Sequence, residues 1–247
     1  MKRVGLFIPC YIDTIYPNVA EATYKLLTDL GFDVEYPLNQ SCCGQPFLNS
    51  GYEDEAKSLA KKFIDLFSKY EYIVAPSASC VSTIKNRYKD LIDDDRVSKI
   101  EKSIFEICEF LHDEVRLESI DVRFPYRVGF HQSCHGLREL NLGVSSELSK
   151  PYYSKARSLL ELVKDIKIVD LKRADECCGF GGTFSIKEPE ISIQMGKDRI
   201  EDHLSSKAEY IVGYDSSCLM HMQGIIDHDK LKIKTAHIVE ILSGMIK

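Results

Sequence analysis

The sequence contains no tryptophan and no run of about 20 apolar residues, the length a membrane-spanning helix requires. It has no excess of basic charge: 32 Lys and Arg stand against 38 Asp and Glu, for a formal charge of −6. The basic residues form no stripe, which argues against a nucleic-acid partner. The G-x-G-x-x-G fingerprint of dinucleotide folds is missing. Gly179-Phe180-Gly181-Gly182 is rich in glycine, but it has the wrong spacing and does not open the first helix. With no flavin or nicotinamide motif, the chain is not expected to oxidise a substrate alone. The opening segment, Met1 to Cys10, is too short for a signal peptide and reads as a first strand, so the expected location is cytoplasmic. No two cysteines are separated by the two to four residues of a zinc knuckle, and ferredoxin spacing is absent as well.

What the chain does have is cysteine. There are nine among 247 residues, and in a reducing compartment that points to metal or redox chemistry more than to disulfides. The pattern is paired. Cys42-Cys43-Gly44 lies between Cys10 and Cys80, and Cys177-Cys178-Gly179 lies between Cys134 and Cys218. A hydrophobic content of 44% is enough for a real core.

Hydrophobic periodicity places these motifs. Val4 to Ile8 is a continuous apolar run, as expected for a strand buried on both faces. Ala20 to Leu30 has helical spacing and is closed by Gly31. Phe32 to Tyr36 reads as a second strand, Glu53 to Tyr70 as an amphipathic helix, and Tyr72 to Ala75 as a third strand. Asp90 to Asp95 is a solvated turn, and Glu101 to Leu111 holds a short strand and a closing helix. The plan then repeats. Tyr126 to His131 mirrors the first strand and Ala156 to Val163 the first helix. Lys167 to Asp170 mirrors the second strand, and Glu190 to Leu204 is the long helix. Glu209 to Gly213 matches Glu71 to Ala75 almost residue for residue. Strand alternating with helix predicts a parallel sheet covered on both faces. The fold expected is α/β, with two homologous Rossmann-like domains related by internal duplication, at 1–120 and 121–247.

In each half the cysteines follow predicted strands one, two and three. Those loops share the carboxyl edge of a parallel sheet. If the first strand lies between the other two, they surround the topological switch point, where open α/β sheets bind ligands. Cys10, Cys42, Cys43 and Cys80 are therefore expected to converge, as are Cys134, Cys177, Cys178 and Cys218. Gly44, Gly179, Gly181 and Gly182 would let backbone approach a bulky inorganic group, and helix N-termini facing the crevice would favour an anionic one. Three occupants suit four thiols. They are an iron–sulfur cluster, a zinc ion in at least one half, and no metal at all, with the vicinal cysteines serving thiol/disulfide exchange.

These stretches resemble a known family. Gln40 to Gly51, Ser133 to Leu140, Cys177 to Phe184 and Asp215 to Met220 look like the paired cysteine-rich CCG domains. Those domains occur in the B subunit of heterodisulfide reductase, the iron–sulfur subunit of glycolate oxidase and the bacterial lactate utilization proteins. The resemblance covers essentially the whole chain. It implies an iron–sulfur electron-transfer subunit of an L-lactate-oxidising complex, taking lactate to pyruvate beside two other lactate utilization proteins and passing electrons to a downstream acceptor. The five-cysteine pattern of heterodisulfide reductase implies a non-cubane cluster, whereas the four thiolates of each half here suit an ordinary [4Fe-4S] cubane, one per half. The heterodisulfide reductase pattern ends in Cys-x-x-Cys; here Ser77 and Asp215 replace the first of those cysteines. That leaves four sulfurs per half instead of five, with Ser77 and Asp215 as possible oxygen donors. The alternative functions are a thiol/disulfide oxidoreductase and a zinc-containing scaffold subunit.

Four further residues call for a reading of their own. His135 is either a residue near the site or a satisfied loop histidine. Arg138 is a carboxylate binder or a surface arginine. Asp13 follows Cys10 and suits a helix cap. Cys108 has Val239 as its counterpart and reads as an inert core residue.

Overall fold

The computed structural model describes residues 2–246. The chain forms two four-stranded parallel sheets flanked by helices. The first contains β1 (Arg3–Leu6), β2 (Asp33–Glu35), β3 (Tyr72–Ala75) and β4 (Ile104–Glu106), in the order β2-β1-β3-β4. The second contains β5 (Arg127–His131), β6 (Lys167–Val169), β7 (Tyr210–Gly213) and β8 (Lys234–His237), in the order β6-β5-β7-β8. The registers match: Gly5 pairs with Ile73 as Gly129 pairs with Ile211. The duplication and the parallel α/β architecture thus agree with the pattern read from the sequence.

Helices α1 (Cys10–Ile15), α2 (Pro17–Asp29), α3 (Gln45–Asn49), α4 (Glu53–Phe67), α5 (Ala78–Leu91), α6 (Val97–Ser103) and α7 (Ile107–Glu109) belong to the first half. Those of the second half are α8 (Lys155–Leu160), α9 (Thr183–Lys187), α10 (Pro189–Ser205), α11 (Ser216–Asp229) and α12 (Ile238–Leu242). α4 shows why such segments fold as they do. Three acidic residues, Glu53 to Glu55, occupy its first turn, where the helix dipole favours them. Ala56, Ala60, Phe63, Ile64 and Phe67 recur on one face and are buried. Helices α1, α3, α6 and α9 are too short to show in the hydrophobic periodicity. α1 starts at Cys10 itself, and Pro17 starts a new helix directly after it because proline is tolerated in a first turn. The second strand is only Asp33–Glu35, shorter than the apolar pattern suggested. Among the described residues, no helix is long and apolar enough to cross a membrane.

The main hydrophobic core runs across both halves, from Val4 and Phe7 through Ile84 and Cys108 to Val239 and Leu242. Cys108 is fully buried within it. Polar contacts add to the junction. Asn18 donates to Glu240, Ser82 to Glu139, and Ser50 bonds Thr183 at 3.0 Å.

Strands β4 and β8 end in equivalent buried caps. Glu106 accepts from the Cys108 N–H at 2.7 Å, and His237 Nδ1 accepts from the Val239 N–H at 3.3 Å. Glu109 and Glu240 complete the two capping boxes. His237 Nε2–H also donates to the Pro76 carbonyl in the other half, at 3.1 Å. Burial holds its pKa down, to about 4 from the ordinary 6.5. The unfolded chain therefore binds the proton first. Stability from a neutral His237 is fully present above pH 6.5 and is lost as pH falls toward about 4. Glu106, pushed up to about 8 by burial, loses stability in the opposite direction as pH rises from 4.5. His237→Gln keeps one acceptor and one donor without the titration. Urea denaturation at pH 7 and pH 5 should show the wild type losing more stability between those values than the variant, by on the order of 1–2 kcal/mol. Identical pH dependence in the two proteins would contradict this account.

Candidate metal centres

β1 lies between β2 and β3, and β5 between β6 and β7, so each sheet has its switch point where the cysteine loops emerge. In the first half Cys10 opens α1, Cys42 and Cys43 precede α3, and Cys80 sits in the first turn of α5. Cys10 and Cys42 sulfurs are 3.8 Å apart. Cys43 neighbours both Cys42 and Cys80. Gln40 pins the loop to the end of β1: its Oε1 accepts from the Ile8 N–H at 2.7 Å, and its Nε2 donates to the Pro37 carbonyl at 3.0 Å. In the second half Cys134 neighbours Cys177 and Cys178 neighbours Cys177, and the Cys178 and Cys218 sulfurs lie within 4.8 Å of each other. All eight of these cysteines are free thiols, as is Cys108.

The backbone treats the two pairs alike. The Gly44 N–H donates to Cys42 Sγ at 3.4 Å and the Gly179 N–H to Cys177 Sγ at 3.3 Å. With the Cys10 and Cys43 thiols also donating, Cys42 is drawn down to about 3. Cys134 and Cys178, joined by Gly179, draw Cys177 down to about 2. Each of these neighbours is pushed the other way by the sulfur it donates to and by burial. One thiolate per half is thus easily held, and further ionisation is opposed by like charge at close range. A multiply charged metal centre removes that opposition, because coordination deprotonates a thiol outright. The donor chemistry fits a thiolate-bound metal or cluster at both edges.

Gly44 and Gly179 have φ of +89° and +88°, the left-handed region. A Cβ on Gly44 would rest 3.6 Å from Ala56, whereas on Gly179 it would meet the Ser192 carbonyl at 2.5 Å and Met195 Cβ at 2.7 Å. Gly44→Ala should cost about 1–2 kcal/mol from backbone conformation alone. Gly179→Ala adds about 1–3 kcal/mol of overpacking. Thermal melts of the two variants should rank them in that order; equal costs would refute the packing argument. Gly181 and Gly182 also have positive φ and lead into α9.

Ser77 and Asp215 are occupied elsewhere. Ser77 Oγ caps α5 by accepting from the Cys80 N–H at 3.4 Å, and it donates to Asp215 Oδ1 at 3.1 Å. Asp215 Oδ1 also accepts from the Ser79 N–H at 3.1 Å and Ser79 Oγ at 2.8 Å, and its Oδ2 accepts from Ser133 Oγ at 2.8 Å. Where the five-cysteine pattern has sulfur, this chain has a buried clasp between its halves.

Other links run beside the cysteines. His135 Nε2 lies 3.0 Å from Gln45 Nε2, joining the residue after Cys134 to the one after Gly44. Tyr11 meets Phe180 edge to face at 6.0 Å. Both cysteine groups therefore flank the junction. Arg138 pairs with Glu147, and Asp13 accepts from Tyr36 Oη at 3.1 Å without capping α1.

The periodicity reading passed over a buried polar group behind the second site. Arg199 and Asp202 side chains are 0% and 2% exposed and pair at 3.1 Å. Asp202 accepts from the Lys172 and Arg173 N–H groups at 3.1 and 3.0 Å, holding the loop that leads to Cys177. Arg199 Nε–H donates to His131 Nδ1 at 3.2 Å. A ring nitrogen of His131 and the Cys178 and Cys218 sulfurs all lie within 4.8 Å of one another. Charged residues inside the α10 pattern were the available signal.

The family model for the cysteine-rich domain, CCG, matches this chain twice, at residues 4–85 and 128–223. Lactate utilization protein A of Exiguobacterium sp. is 39% identical, with 100% of this chain and 99% of that protein covered. The protein of the same name from Oceanobacillus iheyensis is 40% identical over 98% of this chain and 96% of its own length. Among solved structures, a hypothetical protein from Helicobacter pylori has a TM-score of 0.65 at 8% identity over 100% of this chain. The chain spans about half of that structure, 49%, and the likeness shows the fold alone.

Proposed function

The chain belongs to the CCG cysteine-rich domain family, and from that premise we propose that it serves lactate utilisation as the iron–sulfur electron-transfer subunit of an L-lactate-oxidising complex. The observation that carries the reading is the repeated set of four convergent thiols, one at each sheet's switch point. The full-length relatives named for lactate utilization supply the pathway. Cys10, Cys42, Cys43 and Cys80 would hold one [4Fe-4S] cluster, and Cys134, Cys177, Cys178 and Cys218 a second. When bound, such a cluster accepts and releases single electrons. The protein's own part is to fix the thiolates, to donate the Gly44 and Gly179 N–H groups to sulfur, and to bury Cys43 and Cys178 away from water.

Lactate and its two-electron chemistry are assigned to a partner, one of two other proteins of the same system. Phe47, Tyr52, Phe184 and Ile186 remain exposed on and beside α3 and α9, the segments that follow the two cysteine pairs. The Ser50–Thr183 bond holds those helices together. This apolar surface next to the cysteines suits a docked electron donor. The cytoplasm is the proposed location.

The test is elemental and sulfide analysis with EPR on anaerobically prepared protein, alone and with its partners and lactate. About four irons per occupied site are expected, together with lactate-dependent reduction when the partners are present. Protein that binds no iron even after anaerobic reconstitution ends the cluster reading, and stoichiometric zinc without iron selects the scaffold.

A further inference from the structure

The two halves are not chemically equivalent behind their cysteines. Two residues beyond the paired glycines of β1 and β5 stand Phe7 and His131. Ala56 and Ser192, which face Gly44 and Gly179, set the helix alignment. Seven, ten and eleven residues further on stand Phe63, Leu66 and Phe67 in α4, against Arg199, Asp202 and His203 in α10. In the first half Phe7 packs edge-on to Phe63 at 5.0 Å and to Phe67 at 5.7 Å. In the second, the same positions hold an imidazole, a guanidinium, a carboxylate and a second imidazole, all buried.

The hydrogen-bond chemistry determines what His131 can do. Arg199 Nε–H points at His131 Nδ1. A guanidinium has donors only, so Nδ1 must be the acceptor. The one proton of the neutral ring is then on Nε2. That nitrogen is buried and has no hydrogen-bond partner among the described residues, and the residue is only 1% exposed. An unpartnered buried N–H is costly, and sulfur is what lies beside this ring. The tautomer also rules out direct coordination, which needs the lone pair that the Nε2 proton occupies.

We propose that His131 donates a hydrogen bond from Nε2–H to a thiolate sulfur on the Cys178–Cys218 side of the second-half iron–sulfur centre, and so makes it the higher-potential centre of the two. The inference rests on the cluster reading above. A donor to sulfur stabilises the more negative, reduced state, and hydrogen bonds to sulfur are among the factors that set cluster potentials. Phe7 offers the first-half centre no such donor. A chain given a single electron therefore carries it in the second half.

The experiment uses the reconstituted full chain with Cys43→Ser, so that the second-half centre is read alone. Potentiometric titration followed by EPR compares His131, His131→Phe and His131→Gln. The phenylalanine variant imports the first half's residue and should weaken reduction by at least about tenfold, or about 59 mV for one electron. Glutamine can accept from Arg199 and still donate to sulfur, so it should stay near the histidine protein. An unmoved potential in His131→Phe with its iron intact overturns the inference, as does selective loss of second-half iron in that variant, which marks a ligand. If His131→Phe does not fold, pulsed EPR on the otherwise native chain labelled with nitrogen-15 histidine decides. A weak coupling that disappears in His131→Gln is expected; no coupling, or that of a direct iron–nitrogen bond, overturns the assignment. Iron absent from the parent protein defeats the cluster reading itself, a result separate from an unmoved potential.

Discussion

Cys43→Ser is expected to empty the first half of metal and leave the second loaded, and Cys178→Ser to do the converse. Both side chains are buried, at 2% and 3% exposure, so no solvent-exposed donor can swing into their place. Tyr88 Oη donates to the Cys43 carbonyl at 3.0 Å, which fixes the turn carrying the sulfur. Serine offers a shorter, harder oxygen that suits iron–sulfur chemistry poorly. Each group of four comes from one sheet edge only, although Tyr11–Phe180 and Gln45–His135 contacts cross the junction. Iron and acid-labile sulfide per chain should therefore fall to about half in either variant, given equivalent cubanes. Circular dichroism should show an unchanged fold. A single substitution that empties both halves of a folded protein would mean that the sites are not independent.

The second large effect concerns Asp202. Asp202→Ala leaves the Arg199 guanidinium buried without its carboxylate and frees the Lys172 and Arg173 N–H groups. Removing one partner of a buried pair typically costs about 3–5 kcal/mol, because the remaining charge stays out of water. The urea midpoint should fall accordingly, and the loop before Cys177 should exchange its amide protons faster. The first half indicates the compensation. Phe63 and Leu66 fill the positions equivalent to Arg199 and Asp202, and the site there assembles around hydrocarbon. The double variant Arg199→Phe, Asp202→Leu should recover a large part of the loss, since replacing a whole buried pair by apolar groups is often neutral or stabilising. If the double variant is no better than the single one, the cost lies in the backbone contacts and not in the stranded charge.

The parallel organisation was legible because its signals are local and repeated. Val4 to Ile8 and Tyr210 to Gly213 are apolar runs of strand length, and α4 shows its buried face at helical spacing. The glycine after each cysteine pair was expected for the backbone freedom it gives beside the sulfurs, and both have positive φ. Reading two equivalent halves also implied that Cys10 and Cys80, far apart in sequence, share one sheet edge. The departures have local causes as well. α1 is too short to establish a period, and Pro17 interrupts it. The half-to-half core was not legible, since apolar residues on an outer helix face look the same whether they meet their own sheet or the other half.

By itself, then, the sequence determined the duplicated α/β plan and which cysteines follow which strands, because strand and helix periods and paired cysteines are properties of neighbouring residues. Only the tertiary structure decided what surrounds those sulfurs. It turned Asp215 inward to clasp Ser77, Ser79 and Ser133. It also set a hydrogen-bonded imidazole behind one site and a phenylalanine behind the other. Those roles depend on which side chains from distant segments share a buried space, where an unpaired polar group is costly and each donor's partner settles what it can do.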